Sequence, residues 1–209
     1  RNLLNSLAHR RHGYDPTCYE KGVVLVNNYI DITYQEMVLE DVYQIYLEEF
    51  IREKQAVFLE EIRGESAKGS TYRMDVDTSY YHGIASIHLV MYVYSGGAHD
   101  IRFDRIYYYD LEMGKEVALE DLLTLNSSFY VEIQKYALEQ LLSEKTDVIY
   151  EDENLILEGL QADKSHFKYF MFLKDGIQIL FPPYQVGPWS SGEISVSIPY
   201  QSIAKYLKI

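Results

Sequence analysis

The sequence has one cysteine, few basic residues and no long apolar run, and each shortage excludes a class of protein. Cys18 has no second cysteine with which to form an intramolecular disulfide. No apolar stretch approaches the roughly 20 residues that span a bilayer, so we predict no direct membrane insertion of this segment. With 209 residues, 47% of them hydrophobic, the chain can bury a core without disulfides or a structural metal.

Positive charge is scarce relative to negative charge. The 19 lysines and arginines stand against 32 aspartates and glutamates, which gives a formal net charge of −13. A chain with this charge repels phosphate backbones and anionic lipid. We therefore predict that it binds no nucleic acid, and we expect either a cationic partner or none.

The first half of the chain has the pattern of a long helix followed by strands. Thr33 and Glu36 have the spacing of a capping box, apolar residues then recur at helical spacing, and Gly64 is placed to end the helix in a left-handed conformation. Period-two alternation follows this helix. The predicted strands span 72–77, 84–94 and 101–109.

The second half predicts a further helix, a hairpin and a closing helix. Apolar residues from Phe129 to Leu141 recur at helical spacing. Asp175 and Gly176 join two apolar runs and predict a tight hairpin turn, because both residue types tolerate positive φ. A strand over 193–198 then precedes a helix that begins at Pro199.

The order of these elements predicts the fold class. Strands that are grouped together, with interrupting helices rather than regular alternation, are typical of an α+β fold. We predict a mainly antiparallel β-sheet covered by the long N-terminal helix and by further helices. We also expect a single structural unit over 1–209, with an N-terminal half over 20–115 and a C-terminal half over 116–209.

Motifs with established catalytic or metal-binding chemistry are absent from the sequence. It contains no HExxH, P-loop, GxGxxG, GxSxG or paired-cysteine motif. His9 and His12 have a ligand-like spacing, but no carboxylate or cysteine pattern accompanies them, and a surface tail is the favoured interpretation. We therefore predict no metal site and no cofactor.

The acidic residues of the predicted strands are weak candidates for a catalytic or cation-binding site. Asp75 and Asp77 alternate on one strand face, and with Asp100 or Asp104 they could form a cation site or an acid pair. A polar strand face of an acidic protein carries such residues by default, and carboxylates need a pocket to become catalytic. We predict no catalytic residue and no enzyme. An enzyme built on His99 and the strand aspartates is the least favoured hypothesis.

Tyrosine is the most unusual feature of the composition, with 21 residues. Tyrosine suits both protein recognition and sugar stacking, although its preference for strands explains many of these positions without a ligand. Two loops, 95–100 and 181–192, combine glycine or proline with aromatic rings, which serve either recognition or attachment of the loops to the domain. The predicted ligand-binding residues are Tyr92, Tyr94, His99, Tyr184 and Trp189.

Six short motifs occur in a fixed order along the chain. They are YSGGAH at 94–99, YDLxxGK at 109–115, LxDLL at 119–123, DGI at 175–177, PYQVGP at 183–188 and IPY at 198–200. This ordered set resembles the extracytoplasmic domain family of RsiV-like anti-sigma factors, which also occurs beside the catalytic domain of PdaC-like peptidoglycan deacetylases. One departure is Asp100, where the family commonly has glycine after the histidine.

The resemblance implies a bacterial domain outside the cytoplasmic membrane that is not itself an enzyme. Because the chain begins at Arg1, we also expect that an N-terminal segment has been removed, and a signal or an anchor is one interpretation of that segment. In RsiV-like members the domain resembles a receptor for c-type lysozyme, and a charge of −13 would attract such a cationic protein. We expect a non-catalytic extracytoplasmic sensor or binding domain for a cationic protein such as lysozyme. The alternative is an accessory module that binds peptidoglycan glycan.

Overall fold

The computed structural model describes residues 24–29, 41–67, 69–143 and 153–209 and confirms the α+β fold. Its strands are β1 Val24–Tyr29, β2 Thr71–Tyr81, β3 Ile84–Tyr94, β4 Ile101–Asp110, β5 Lys115–Val117, β6 Tyr169–Phe172, β7 Gly176–Phe181 and β8 Ile194–Pro199. Its α-helices are α1 Asp41–Glu65, α2 Leu119–Leu122, α3 Ser127–Leu141, α4 Glu153–Gly159 and α5 Tyr200–Ile203. Among the described helices, none is long and apolar enough to cross a membrane.

The strands form two sheets rather than one. The larger sheet has the order β1-β2-β3-β4-β5, and the smaller sheet has the order β6-β7-β8. Every neighbouring pair is antiparallel except β1 and β2, which run parallel. The sequence analysis did not predict β1. The division of the chain at 115 and 116 into two halves stays a prediction.

Helix α1 covers one face of the larger sheet. Its buried side chains, Leu47, Ile51, Phe58 and Ile62, form one core with alternate residues of β2 and β3, which include Met74, Val76, Leu89 and Met91. Both element types contribute only one face to this core, because side chains alternate across a strand and recur every three or four residues along a helix. The opposite face of the larger sheet contacts the second lobe, which is formed by the smaller sheet and helices α2 to α5.

The ends of α1 differ from the prediction. The expected start at Thr33 lies outside the described residues, and the helix continues through Gly64 to Glu65. The expected left-handed cap at Gly64 is wrong, since Gly64 has no positive φ. The hydroxyl of Ser66 donates to the carbonyl oxygen of Ile62 at 2.6 Å. The last turn thus gains a side-chain partner and needs no left-handed residue at Gly64.

The second lobe consists of the smaller sheet and helices α2 to α5. Its core is rich in phenylalanine, and Phe129, Phe170, Phe172 and Phe181 are all fully buried. The closing helix predicted from Pro199 is only one turn, α5, followed by the 3-10 turn Ala204–Tyr206. The lobe joins β3 and β4 through hydrogen bonds from Tyr108 Oη to the Phe170 carbonyl oxygen (2.9 Å) and from Phe172 N–H to Ser86 Oγ (3.1 Å).

The hairpin between β6 and β7 is confirmed, but the reason for its glycine is different. Phe172 pairs with Ile177, as a hairpin at this place requires. Neither Asp175 nor Gly176 has a positive φ, so the expected primed turn is wrong. A Cβ atom at Gly176 would lie 2.3 Å from the carbonyl oxygen of Ile198. Glycine is therefore required here by the close approach of β8.

We expect Gly159→Ala to destabilise the fold and Gly64→Ala to stabilise it. A Cβ atom at Gly159 would lie 1.9 Å from the carbonyl oxygen of Gln185, so the backbone must move, at a cost of about 1–3 kcal/mol. A Cβ atom at Gly64 meets nothing within 4 Å, and alanine in a helix interior gains about 0.5–1 kcal/mol. Urea denaturation of both variants measures the two shifts, and a change of the same sign in both would contradict this interpretation.

Candidate functional site

A cleft of about 400 Å³ lies where the larger sheet meets the loop between β7 and β8. The strands supply its floor, because Asp77, His88, Val90, Tyr92 and Arg102 occupy alternate positions on the face away from α1. The loop supplies the opposite wall. The lining residues are Asp77, His88, Val90, Tyr92, Arg102, Pro183, Trp189, Gly192 and Glu193.

A buried ionic network forms part of the cleft floor. Arg102 Nε donates to both carboxylate oxygens of Asp104, at 3.1 and 3.0 Å, and Nη2 donates to Asp104 Oδ1 at 2.6 Å. His88 Nε2 lies 2.8 Å from the same Oδ1, and Arg102 also donates to Glu193. The side chains of His88 and Asp104 are each only 3% exposed. The network links two adjacent strands to the distant loop.

The network determines how Asp104 titrates. Burial alone would raise the pKa of this carboxyl, but the hydrogen bonds from His88 and Arg102 outweigh burial, and the pKa lies below its ordinary value. Asp104 is therefore ionised throughout the neutral range. The floor of the cleft keeps a fixed negative charge beside a fixed guanidinium group.

Tyr92 lies between two arginines on the same face. Its ring centroid is 4.1 Å from the guanidinium carbon of Arg73 and 5.9 Å from that of Arg102. Arg73 in turn pairs with Asp75 at 3.6 Å. Burial raises the pKa of Asp75, although Arg73 and Arg102 oppose this effect, so Asp75 and Asp104 are shifted in opposite directions.

The two aspartates are expected to affect acid stability in opposite ways. Asp104 stabilises the fold above its ordinary pKa of about 3.9, and this contribution is lost as the pH falls through its lowered folded-state pKa. Asp75, with its raised pKa, makes the opposite contribution, since its burial is less costly once it is protonated. Denaturation is measured between neutral pH and about pH 3. Relative to the unsubstituted chain, the free energy of unfolding should fall less steeply with acidification in Asp104→Asn and more steeply in Asp75→Asn. Equal slopes for the two variants would contradict these assignments.

The same cluster contains a possible metal-ligand set. His88, Asp104 and Glu193 each offer one ligand atom, and these three atoms lie within 4.8 Å of one another. The guanidinium group of Arg102, however, contacts both carboxylates and supplies the positive charge between them. The cluster as built binds an arginine side chain, and a metal ion would have to displace it.

An aromatic cluster lies beside the cleft and unites the two predicted loops. His99 stacks on Trp189 with ring centroids 4.3 Å apart and planes inclined by 16°. Tyr184 Oη lies 3.2 Å from His99 Nε2, and its ring centroid lies 6.0 Å from that of Trp189. Tyr94 donates to the carbonyl oxygen of Gly97 in the same loop at 3.3 Å. Three side chains from two loops therefore meet, Tyr94 contacts the backbone of one of these loops, and Tyr94 and Tyr184 remain 44% and 58% exposed.

The structure places four of the five predicted ligand-binding residues at the cleft or in the aromatic cluster beside it, and Tyr94 against the adjoining loop. His99, Tyr184 and Trp189 contact one another, Tyr94 braces the loop that contains His99, and Tyr92 lies on the cleft floor. Whether any of them binds a ligand stays a prediction. His9 and His12 lie outside the described residues, and Asp100 lies in the loop of His99 rather than with Asp75.

The sequence offered Asp77 and Asp104 as candidates, but it did not indicate Arg102 or Glu193. Arg102 and Asp104 were separated by one position on a predicted strand, which placed them on one face, but nothing local indicated their partners. Glu193 lies 91 residues from Arg102 along the chain. The pairing of Arg102 with Glu193 depends on how the two lobes pack.

Comparison with known proteins agrees with this fold and names a relative. Residues 120–201 match the model of a family described as "Protein of unknown function (DUF3298)". The chain is 24% identical over 167 residues to the peptidoglycan-N-acetylmuramic acid deacetylase PdaC of Bacillus subtilis. The match covers 78% of this chain but only 35% of PdaC, so the chain spans about a third of that relative's length.

A solved structure of a protein from the matched family shares the fold. A DUF3298 family protein from Pseudomonas aeruginosa superposes with a TM-score of 0.53 at 19% identity, covering 73% of this chain and 69% of that one. A DUF3298 family member from Bacteroides fragilis gives a TM-score of 0.49 at 20% identity, covering 83% and 70% of the two chains. The resemblance to PdaC-like proteins is thus confirmed, whereas the resemblance to RsiV-like anti-sigma factors stays a prediction.

Proposed function

We propose, from the similarity to PdaC and the geometry of the cleft, that this chain is a non-catalytic domain that binds a segment of peptidoglycan glycan. The observation that carries the proposal is that Trp189, on the wall, and Tyr92, on the floor, line one cleft together with charged side chains. The relative's name places its substrate in peptidoglycan. A domain with this ligand would act outside the cytoplasmic membrane, which is the location that we propose.

The size of the cleft favours a small or narrow ligand. A volume of about 400 Å³ falls within the range of small-molecule sites, which is roughly 300–1,000 Å³, and it suits one or two sugar rings. An interface for a folded protein would instead bury about 800 Å² on each partner and would not need a cleft. The open aromatic cluster beside the cleft could contact the next sugar along the same chain.

The chemistry of the lining also suits a sugar. A pyranose ring has apolar C–H faces that pack on aromatic rings and hydroxyl groups that need hydrogen-bond partners at the rim. Trp189 offers the aromatic surface, while Glu193 and Asp77 offer carboxylate acceptors. His99 stacks on Trp189 and thereby orients the indole before any ligand arrives, which lowers the entropic cost of binding.

The contacts of the polar groups support a binding role rather than catalysis. His88 and Arg102 are both engaged by Asp104, and Glu193 is engaged by Arg102. A catalytic acid, base or nucleophile must be positioned toward a substrate. The buried network instead fixes the shape of the floor.

A second candidate function is the capture of a cationic protein such as lysozyme. The observation in its favour is the net charge of −13, which accelerates association with a basic protein. This function would use the exposed acidic surface and would not depend on the cleft. The two candidates therefore differ in salt dependence and in the residues that they need.

Calorimetric titration at low and moderate salt separates the two functions. We would titrate the chain with a soluble peptidoglycan fragment and, in parallel, with hen-type lysozyme. Saturable heat with the fragment is expected, and its affinity should change less with salt than that of lysozyme would, because stacking and hydrogen bonds to a glycan are screened less than the attraction between oppositely charged proteins. Tight, salt-sensitive binding of lysozyme with no heat from the fragment would replace the glycan proposal with the protein-capture function. The absence of binding heat with both titrants would overturn both functions.

A further inference from the structure

We infer that the cleft prefers a glycan with a free, protonated amino group over the N-acetylated form of the same glycan. The inference rests on the proposed function and adds the chemical class of sugar that the site selects. Three observations support it: the charge balance at the cleft, the greater exposure of Glu193 than of Arg102, and the position of Trp189 in the same loop as Glu193.

The charged side chains at the cleft have a negative balance. Asp77 and Glu193 line the cleft, and Asp104 lies directly beneath it in contact with His88 and Arg102. Among the described residues, three carboxylates thus accompany one guanidinium group, and the set is negative with either charge state of His88. One row away, Arg73 and Asp75 form a pair whose charges offset each other. The cleft therefore attracts a cationic group on a ligand.

A ligand in the cleft meets the carboxylate of Glu193 rather than the guanidinium of Arg102. The Arg102 side chain is only 7% exposed, whereas that of Glu193 is 31% exposed. A carboxylate can accept about four hydrogen bonds, and the contact with Arg102 uses one oxygen of Glu193, Oε2. Glu193 therefore retains acceptor capacity toward the cleft. An ammonium group there would form a charge-assisted hydrogen bond, which an acetamide cannot form.

Trp189 adds a second attraction for the same group. It lies four residues before Glu193 in the same loop, and both residues line the cleft. The segment that joins them consists of the 3-10 turn Trp189–Ser191 and Gly192, which has a φ of 68°. A cation near the face of an indole ring is favoured by the ring quadrupole. A sugar that packs on Trp189 would thus carry its amino group toward Glu193.

The test compares two probes that differ only in acetylation. Chitin tetrasaccharide and its fully deacetylated counterpart, chitosan tetrasaccharide, are titrated into the chain below the pKa of the sugar amine. We expect the deacetylated probe to bind about tenfold more tightly, as one charge-assisted hydrogen bond predicts. Glu193→Gln keeps the size of the side chain and should reduce the preference to within about twofold.

A matched variant controls for net charge. Glu139 is an exposed residue of α3 that does not line the cleft, and Glu139→Gln removes the same charge from the chain. Equal losses for Glu193→Gln and Glu139→Gln would overturn the inference, since they would indicate general attraction of a polycation to an acidic protein. If thermal melting shows that Glu193→Gln does not fold, Asp77→Asn takes its place with a smaller expected loss of preference, because Asp77 contributes only to the negative charge of the cleft.

The outcomes distinguish the inference from the function on which it rests. Equal or tighter binding of the N-acetylated probe would overturn the amine preference and leave glycan binding in place. Failure of both probes and of the peptidoglycan fragment would overturn the proposed function itself. A preference that Glu193→Gln removes and Glu139→Gln retains would establish both.

Discussion

Replacement of Asp104 with alanine is expected to lower the free energy of unfolding by about 3–5 kcal/mol. The carboxylate is the common partner of His88 and Arg102, and all three side chains are more than nine-tenths buried. Removal of one partner of a buried ionic network leaves the other charge in a poorly solvated position, which costs more than the pair itself contributes. Urea denaturation at neutral pH measures the loss.

Asp75→Ala is the matched control for this prediction. Asp75 lies on the same sheet face, but its Oδ1 atom is buried and has no hydrogen-bond partner within the described part of the chain. Burial raises the pKa of Asp75, so its ionised form is not favoured by the fold. We expect Asp75→Ala to change stability far less than Asp104→Ala. Equal losses would show that the contacts of Asp104 do not stabilise the fold in the way the structure indicates.

Replacement of Trp189 with alanine is expected to weaken binding of the peptidoglycan fragment at least about tenfold while the domain stays folded. Trp189 is half-buried, forms one wall of the cleft and stacks on His99, so its loss removes the aromatic surface and releases the opposing loop. The fold should survive because Trp189 is absent from both buried cores. Calorimetric titration gives the affinity, and circular dichroism establishes that the secondary structure is retained.

Tyr46→Ala controls for the loss of an exposed aromatic ring. Tyr46 is 54% exposed on α1, which covers the sheet face opposite the cleft. Its replacement should leave glycan affinity unchanged. An unchanged affinity in Trp189→Ala would move the binding site away from the cleft, and an equal loss in both variants would indicate binding that is not specific to either surface.

Local patterns in the sequence predicted most of the large elements. Period-two alternation located β3 and β4 closely, and the apolar repeat located α3, because each pattern is a direct consequence of side-chain direction in that element. The same reasoning was wrong about the causes of two glycines. Gly64 lies inside α1, and Gly176 is needed for contact with β8 rather than for positive φ. Helix ends and close approaches depend on neighbours that a local window does not contain.

The sequence by itself determined the α+β class, the acidic surface charge and the two loops whose aromatic residues meet beside the cleft. These properties follow from composition and from local periodicity, both of which can be read from the sequence without knowledge of the tertiary contacts. Only the tertiary structure decided that His99 stacks on Trp189 and that Arg102 pairs with Glu193, 91 residues away. Such contacts arise from the packing of one lobe on the polar face of the other lobe's sheet. Their geometry is therefore a property of the whole fold, because no short segment brings the two loops together.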